Sequence, residues 1–259
     1  MEHITSTAGT VVSYDRFGSG TPLVLAHGDF SDHRTNWMFV SEAWERAFSV
    51  VPIARRGRGG TSATSGHHLE DEAADVVAVL EALDEPSFLL GHSYGAHCAL
   101  LAARLAPDRV RKLVLYEPPW PTVLTSATLE RLEQLASAGA WGELAVTFFR
   151  DSLLVPQADL DALQGTGHWL PIVSDAPASL HDLRALAAYD FRPQHFAEVA
   201  CPVLLQVGSE SRRDLYVTDA LAAALPDVRI ETLTGQAHEG MTTAPVQYAA
   251  AVTGFLLNP

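Results

Sequence analysis

Phe88-Leu89-Leu90-Gly91-His92-Ser93-Tyr94-Gly95 runs from three apolar residues into a pentapeptide of the form G-x-S-x-G, and an Ala- and Leu-rich stretch continues to Ala106. That order predicts a strand, a sharp turn and a helix. Small residues on either side of a serine in such a turn allow strained backbone angles and lift the hydroxyl above the sheet. Ser93 is therefore the candidate nucleophile. The five letters alone describe many plain turns; the strand before them and the helix after them favour the chemical reading.

Working outward, short apolar runs alternate with stretches of helical period. Strands are expected near Val11 to Phe17, Pro22 to Ala26, Ser49 to Ile53, Ser87 to Leu90, Lys112 to Tyr116, Pro202 to Val207 and Arg229 to Leu233. Most are continuously apolar, as strands covered on both faces are. Between them, Leu69 to Leu83 places Ala73, Val76, Val77, Leu80 and Leu83 at amphipathic spacing. Further helices are expected at Tyr94 to Ala106, Ala220 to Leu225 and Gln247 to Leu256. The alternation predicts an α/β domain with a mostly parallel sheet and helices on both faces. From Pro121 to Ala200 it breaks into helical periodicity without a strand, after a rigid exit through Pro118, Pro119 and Pro121. The expected organisation is thus a core of residues 1–120 and 201–259, with residues 121–200 as a helical lid insertion.

The chain of 259 residues carries a formal charge of −14, with 47% hydrophobic and 19% charged residues. So negative a protein is repelled by nucleic acid and by anionic membrane surfaces, and the short cluster Arg55, Arg56 and Arg58 does not reverse that. Cys98 and Cys201 form no disulfide framework and read as buried thiols. The opening MEHITSTAGT lacks the charged start and apolar run of a secretory signal, which sets the expectation of a cytoplasmic protein. The histidines His67, His68, His92 and His97 lack the spacing and carboxylate company of a metal site, and no phosphate loop is present, so neither metal nor cofactor is expected. The aromatics Trp141, Phe148, Phe149, Trp169, Tyr189 and Phe191 read as the insertion's own core.

Two further stretches belong with Ser93. Gly235-Gln236-Ala237-His238 follows the last expected strand, where an imidazole can reach back toward the serine as general base. A third partner should be a carboxylate that orients that ring. Glu117 ends the strand before the insertion, beside the nucleophile strand, with its backbone fixed by two prolines; Asp214 and Glu210, after Gly208, are the alternatives.

Leu25-Ala26-His27-Gly28, Arg55-Arg56-Gly57-Arg58-Gly59, Gly91-His92-Ser93-Tyr94-Gly95 and Gly235-Gln236-Ala237-His238 together resemble the α/β-hydrolase superfamily over nearly the whole chain outside the insertion. The resemblance implies a mostly parallel eight-stranded sheet and the chain order serine, acid, histidine. It also implies an oxyanion hole built from the backbone amides of Asp29 and Tyr94. Its common acid position lies three residues past a glycine after the strand preceding the histidine. Here that residue is Ser211, which leaves Glu210 and Asp214 out of register. Haloalkane dehalogenases and zearalenone lactonases carry the acid one strand earlier, at a spacing similar to the 117 − 93 = 24 residues between Ser93 and Glu117. Dehalogenases and epoxide hydrolases use an aspartate nucleophile, so the serine sets those reactions aside. Ala54 stands where an aspartate usually precedes the arginine stretch, which is expected to affect the loop rather than the chemistry.

These readings converge on acyl transfer from a small-molecule ester or lactone to water, in a monomer or homodimer that needs no cofactor. Competing readings are a carbon–carbon bond hydrolase, a cofactor-independent oxygenase or lyase, and a non-catalytic ligand receptor.

Overall fold

The computed structural model describes residues 1–62 and 67–258. Among the described residues, nine strands form one sheet: β1 (Glu2–Thr5), β2 (Val11–Tyr14), β3 (Phe17–Gly18), β4 (Pro22–Ala26), β5 (Ser49–Ala54), β6 (Ser87–His92), β7 (Val110–Tyr116), β8 (Val203–Gly208) and β9 (Val228–Leu233). Eight of them follow one path in the order β1-β2-β5-β4-β6-β7-β8-β9, and the two-residue β3 pairs with β5 beside it. Pairing is parallel from β5 through β9 and antiparallel at the β1–β2 end. The expected strand from Val11 to Phe17 is interrupted at Asp15 and Arg16, and its end turns to pair Phe17 with Val50. β1 went unread because this edge strand, Glu-His-Ile-Thr, is mostly exposed and has no apolar run.

The helices are α1 (Ser41–Glu45), α2 (Leu69–Ala82), α3 (Tyr94–Leu105), α4 (Ser126–Ser137), α5 (Trp141–Asp151), α6 (Gln157–Gln164), α7 (Trp169–Ala188), α8 (Thr218–Ala224), α9 (Gly240–Thr243) and α10 (Pro245–Leu257). α1 and α9 are too short to leave a periodic signal. No described helix is long and apolar enough to cross a membrane.

Strand alternation divides the core. On β6 and β7, Leu89, Leu113 and Leu115 face one layer with residues of α2 and α3, while Phe88, Leu90, Val114 and Tyr116 face a second with Trp37, Trp44, Tyr248 and Phe255. Cys98 and Cys201 are free and buried. Helices α4 to α7 lie between β7 and β8 in sequence, and Phe148 and Leu183 join the first layer. The aromatics there are not a separate core: Phe30, which follows β4, packs against Phe148 and Phe149 with ring centres 5.2 and 4.9 Å away.

Candidate functional site

The turn after β6 is as tight as its sequence demands. Ser93 has φ 55° and ψ −123°, a strained backbone for a residue with a side chain. Its amide donates to Tyr116 O at 2.9 Å, which ties it to β7. A Cβ on Gly91 would lie 2.5 Å from Ala96 Cα, and one on Gly95 would lie 2.3 Å from His27 O, so glycine is required on both sides for α3 to turn back over the sheet. Ser93 is left 9% exposed at the helix N-terminus, where backbone amides point outward and the helix dipole favours negative charge.

β7 continues past Tyr116 into Glu117, whose φ of 48° and following prolines bend the chain out of the sheet. The Glu117 carboxylate is fully buried and accepts from two directions. His238 Nδ1 donates to Oε2 at 2.7 Å, and the Gly208 amide donates to Oε1 at 2.7 Å. The Tyr216 ring stacks on His238 at 5.2 Å and 15°. Tyr116 holds the histidine loop from the other side: its hydroxyl donates to Ala237 O and receives the Gly240 amide at 3.1 Å.

Because Nδ1 carries the proton shared with Glu117, the neutral imidazole keeps Nε2 as its basic atom. Burial opposes charge on His238, but the hydrogen bond to Glu117 and the carboxylate's charge outweigh it, so its pKa lies above the ordinary value. The histidine loop meets the serine turn through His92, the residue before Ser93. His92 Nε2 donates to His238 O at 3.0 Å, and the two rings lie 4.7 Å apart. Burial keeps His92 neutral.

The structure thus brings Glu117 to His238 and leaves the other two carboxylates outside. Asp214 is exposed and paired with Arg212 at 2.7 Å, and Glu210 bonds Ser209 at the surface. The supporting roles of Tyr116, Tyr216 and His92 were missed by sequence reading, for an aromatic at a strand end or in a loop carries no functional signal of its own. His97 was set aside as well. One turn into α3, its Nε2 donates to Pro119 O at 2.7 Å and so braces the bend that carries Glu117.

Asp29 lies beyond β4 in a second buried assembly. Arg55 donates to His27 O at 2.8 Å, to Gly28 O at 3.1 Å and to the Asp29 carboxyl at 3.1 Å. It also pairs with Glu72 of α2 and Asp182 of α7, each at 2.9 Å. Arg58 pairs with Asp182 at 2.6 Å and with Asp175 at 2.8 Å. His67 joins with Nε2 at 3.0 Å from Glu72 and 3.3 Å from Asp182. The expectation that His67 lacks carboxylate company is therefore corrected, because its partners come from two different helices. Burial pushes the Asp29 carboxyl well above its ordinary value, reinforced by Asp182, whereas Arg55 and Arg58 hold Asp182 ionised against its own burial.

Two groups of described residues have ligand types suited to a metal: His92 with His238 and Glu239, and His67 with Glu72 and Asp182. In the first, His92 Nε2 already donates to a carbonyl; in the second, both carboxylates already face arginines.

A parallel sheet with a strained serine at the end of β6, and an imidazole–carboxylate pair joined to that turn through His92, defines a hydrolase-type architecture. The chain belongs to the alpha/beta hydrolase family, whose profile matches residues 23–251. Non-heme chloroperoxidase of Streptomyces lividans is 27% identical, over 95% of this chain and 95% of that one. A pimeloyl-[acyl-carrier protein] methyl ester esterase of Vibrio parahaemolyticus is 32% identical over 49% of this chain and 53% of its own length. An alpha/beta hydrolase from Sphaerobacter thermophilus superposes with a TM-score of 0.85 at 27% identity, covering 98% of this chain and all of that one.

Proposed function

We propose that this chain is a serine hydrolase that cleaves a carboxylic ester or lactone through an acyl-enzyme. The observation that carries the reading is the 2.7 Å bond between His238 Nδ1 and the buried Glu117 carboxylate, next to a serine held at φ 55°. Ser93 Oγ attacks the carbonyl carbon while His238 Nε2 takes its proton, and Glu117 stabilises the imidazolium that results. The amides of Asp29 and Tyr94 receive the oxyanion, the latter at the positive end of α3. Collapse expels the alkoxide, which takes the proton from His238. Water, deprotonated by the same nitrogen, then attacks the acyl carbon and releases the acid and the serine. An alkoxide leaves more readily than an amine, which favours an ester or lactone over an amide. The similarity to a methyl ester esterase supports the same class. Helices α4 to α7 act as the lid over this centre, within the division into a core of 1–120 and 201–259 and an insertion of 121–200.

The test is Ser93→Ala, assayed on short nitrophenyl esters and by labelling with a fluorophosphonate. Turnover is expected to fall about a million-fold with the circular dichroism spectrum unchanged. Retained ester hydrolysis removes the mechanism. A wild-type protein that labels at Ser93 but gives no nitrophenol burst would move the reading to carbon–carbon bond cleavage.

A further inference from the structure

α7 is no part of the sheet, yet Asp175, Ser179 and Asp182 project from it at i, i+4 and i+7 onto the turn after β4. The Ser179 hydroxyl is saturated there. It accepts the Phe30 amide at 2.6 Å and Arg58 Nη2 at 3.0 Å, and it donates to Asp175 at 2.8 Å. Phe30 has φ 53°, a strained value for an aromatic residue, and such strain persists only where the surroundings hold it. Here they do: Arg55 fixes the carbonyls of His27 and Gly28, Asn36 accepts the Gly28 amide at 3.1 Å, and Ser179 fixes the Phe30 amide. Among the described residues, the Asp29 amide between them is left without an acceptor.

Stability alone gives little reason for such a network, since a buried ion cluster replaced by apolar residues of similar volume is often neutral or stabilising. Its position is the informative part. We propose that α7 sets the oxyanion donor: Ser179, with Asp182 acting through Arg55, holds residues 28–30 so that the Asp29 amide points at the developing negative oxygen. Ser179, Asp182 and Arg55 are then positioning residues, and the helical segment contributes to the rate itself as well as covering the site. The state of the Asp29 side chain fits this role. Burial and the neighbouring Asp182 push its carboxyl well above the ordinary value, which disfavours a second negative charge on the residue whose amide receives one.

The inference rests on Ser93 as nucleophile, and the experiment separates the two. Kcat and KM for a nitrophenyl ester, and the rate of fluorophosphonate labelling, are measured per labelled site for wild type, Ser179→Ala, Asp182→Asn and Arg184→Ala. Arg184 serves as control because it ties the outer face of α7 to Glu133 of α4, at 2.5 Å, away from the turn. Ser179→Ala is expected to lower kcat and labelling rate together by about 10- to 100-fold, with KM changed no more than about twofold, as slight misplacement of a catalytic group does. Asp182→Asn is expected to shift both in the same direction, and Arg184→Ala neither. A Ser179→Ala protein with wild-type kcat and labelling per site, even if less stable, overturns the proposal and reduces the tie to scaffolding; Asp182→Asn decides in the same way if Ser179→Ala does not fold. A wild-type protein that fails to label overturns the nucleophile and this inference with it.

Discussion

Two buried polar assemblies lie on either side of Ser93, and they are built differently. One is small: a carboxylate, an imidazole 15% exposed on its open side, and two tyrosines that hold the loop. The other is large and sealed, with Arg55, Arg58, Glu72 and Asp182 all within a few per cent of full burial. In the first, a single hydrogen bond fixes which nitrogen is basic, so the assembly controls a proton. In the second, every charge is consumed by another charge or a backbone carbonyl, so the assembly controls geometry. Removing a group from the first should therefore cut the rate steeply with little loss of fold, whereas removing one from the second should cost stability and lower the rate far less, through the placement of residues 28–30.

The largest expected effect tests the first half of that contrast. Glu117→Gln keeps the shape of the side chain but presents His238 Nδ1 with an amide that stabilises the imidazolium poorly, and kcat should fall by about 10⁴-fold. Urea unfolding should move little. Asp214→Asn, made in an exposed carboxylate already paired with Arg212, should leave kcat unchanged. The same substitution at 117 should lower the pH at which kcat/KM declines on the acid side, because the carboxylate is what raises the His238 pKa. The base must be neutral to accept the Ser93 proton, so activity is lost as pH falls through that value. Equal kcat losses at 117 and 214 would dissolve the distinction.

The second half predicts a loss of stability. Arg55→Met removes the arginine that Glu72 and Asp182 share and leaves both carboxylates buried, which should cost about 3–5 kcal/mol in urea unfolding. Arg184→Met breaks only the exposed pair with Glu133 and should cost about 1 kcal/mol or less. An Arg55→Met protein as stable as wild type would mean that the sealed cluster is already strained.

The two assemblies also differed in how far the sequence disclosed them. Ser93 was legible because the turn is local: an apolar run, two glycines and a helix lie within twenty residues. Glu117 was legible for a related reason, since the prolines beside it announce a rigid bend at a strand end. The parallel strands β4 to β9 followed for the most part from continuous apolar runs, whereas the antiparallel edge strand β1 left no such signal. The sealed assembly was not legible, because its pairs join residues 127 and 117 positions apart and helical periodicity does not say which neighbour a face will meet. A signal did exist. Asp175, Ser179 and Asp182 form a polar stripe at helical spacing among the buried Ala176, Leu180, Leu183 and Leu186, and polar groups on the inward face of a helix require partners.

The most specific expected effect is the one that differs in sign between the regions. His67, in the sealed cluster, is opposed by burial but pushed up to about 10 by Asp182 and Glu72. His97, beneath the Glu117 bend, is brought down to about 4 by burial, against which its hydrogen bond to the Pro119 carbonyl works. A histidine raised on folding binds more protons in the folded state, so its contribution is full below pH 6.5 and fades as pH rises toward 10. A lowered one binds more protons in the unfolded state, so its contribution is full above pH 6.5 and is lost as pH falls toward 4. Urea midpoints of wild type, His67→Gln and His97→Gln compared from pH 4.5 to 9.5 should therefore diverge in opposite directions. The advantage of wild type over His67→Gln should shrink as the solution becomes alkaline, and that over His97→Gln should shrink as it becomes acid. Slopes of one sign at both positions would show that the two histidines share an environment, and the division between a proton-handling assembly and a geometry-holding one would fail.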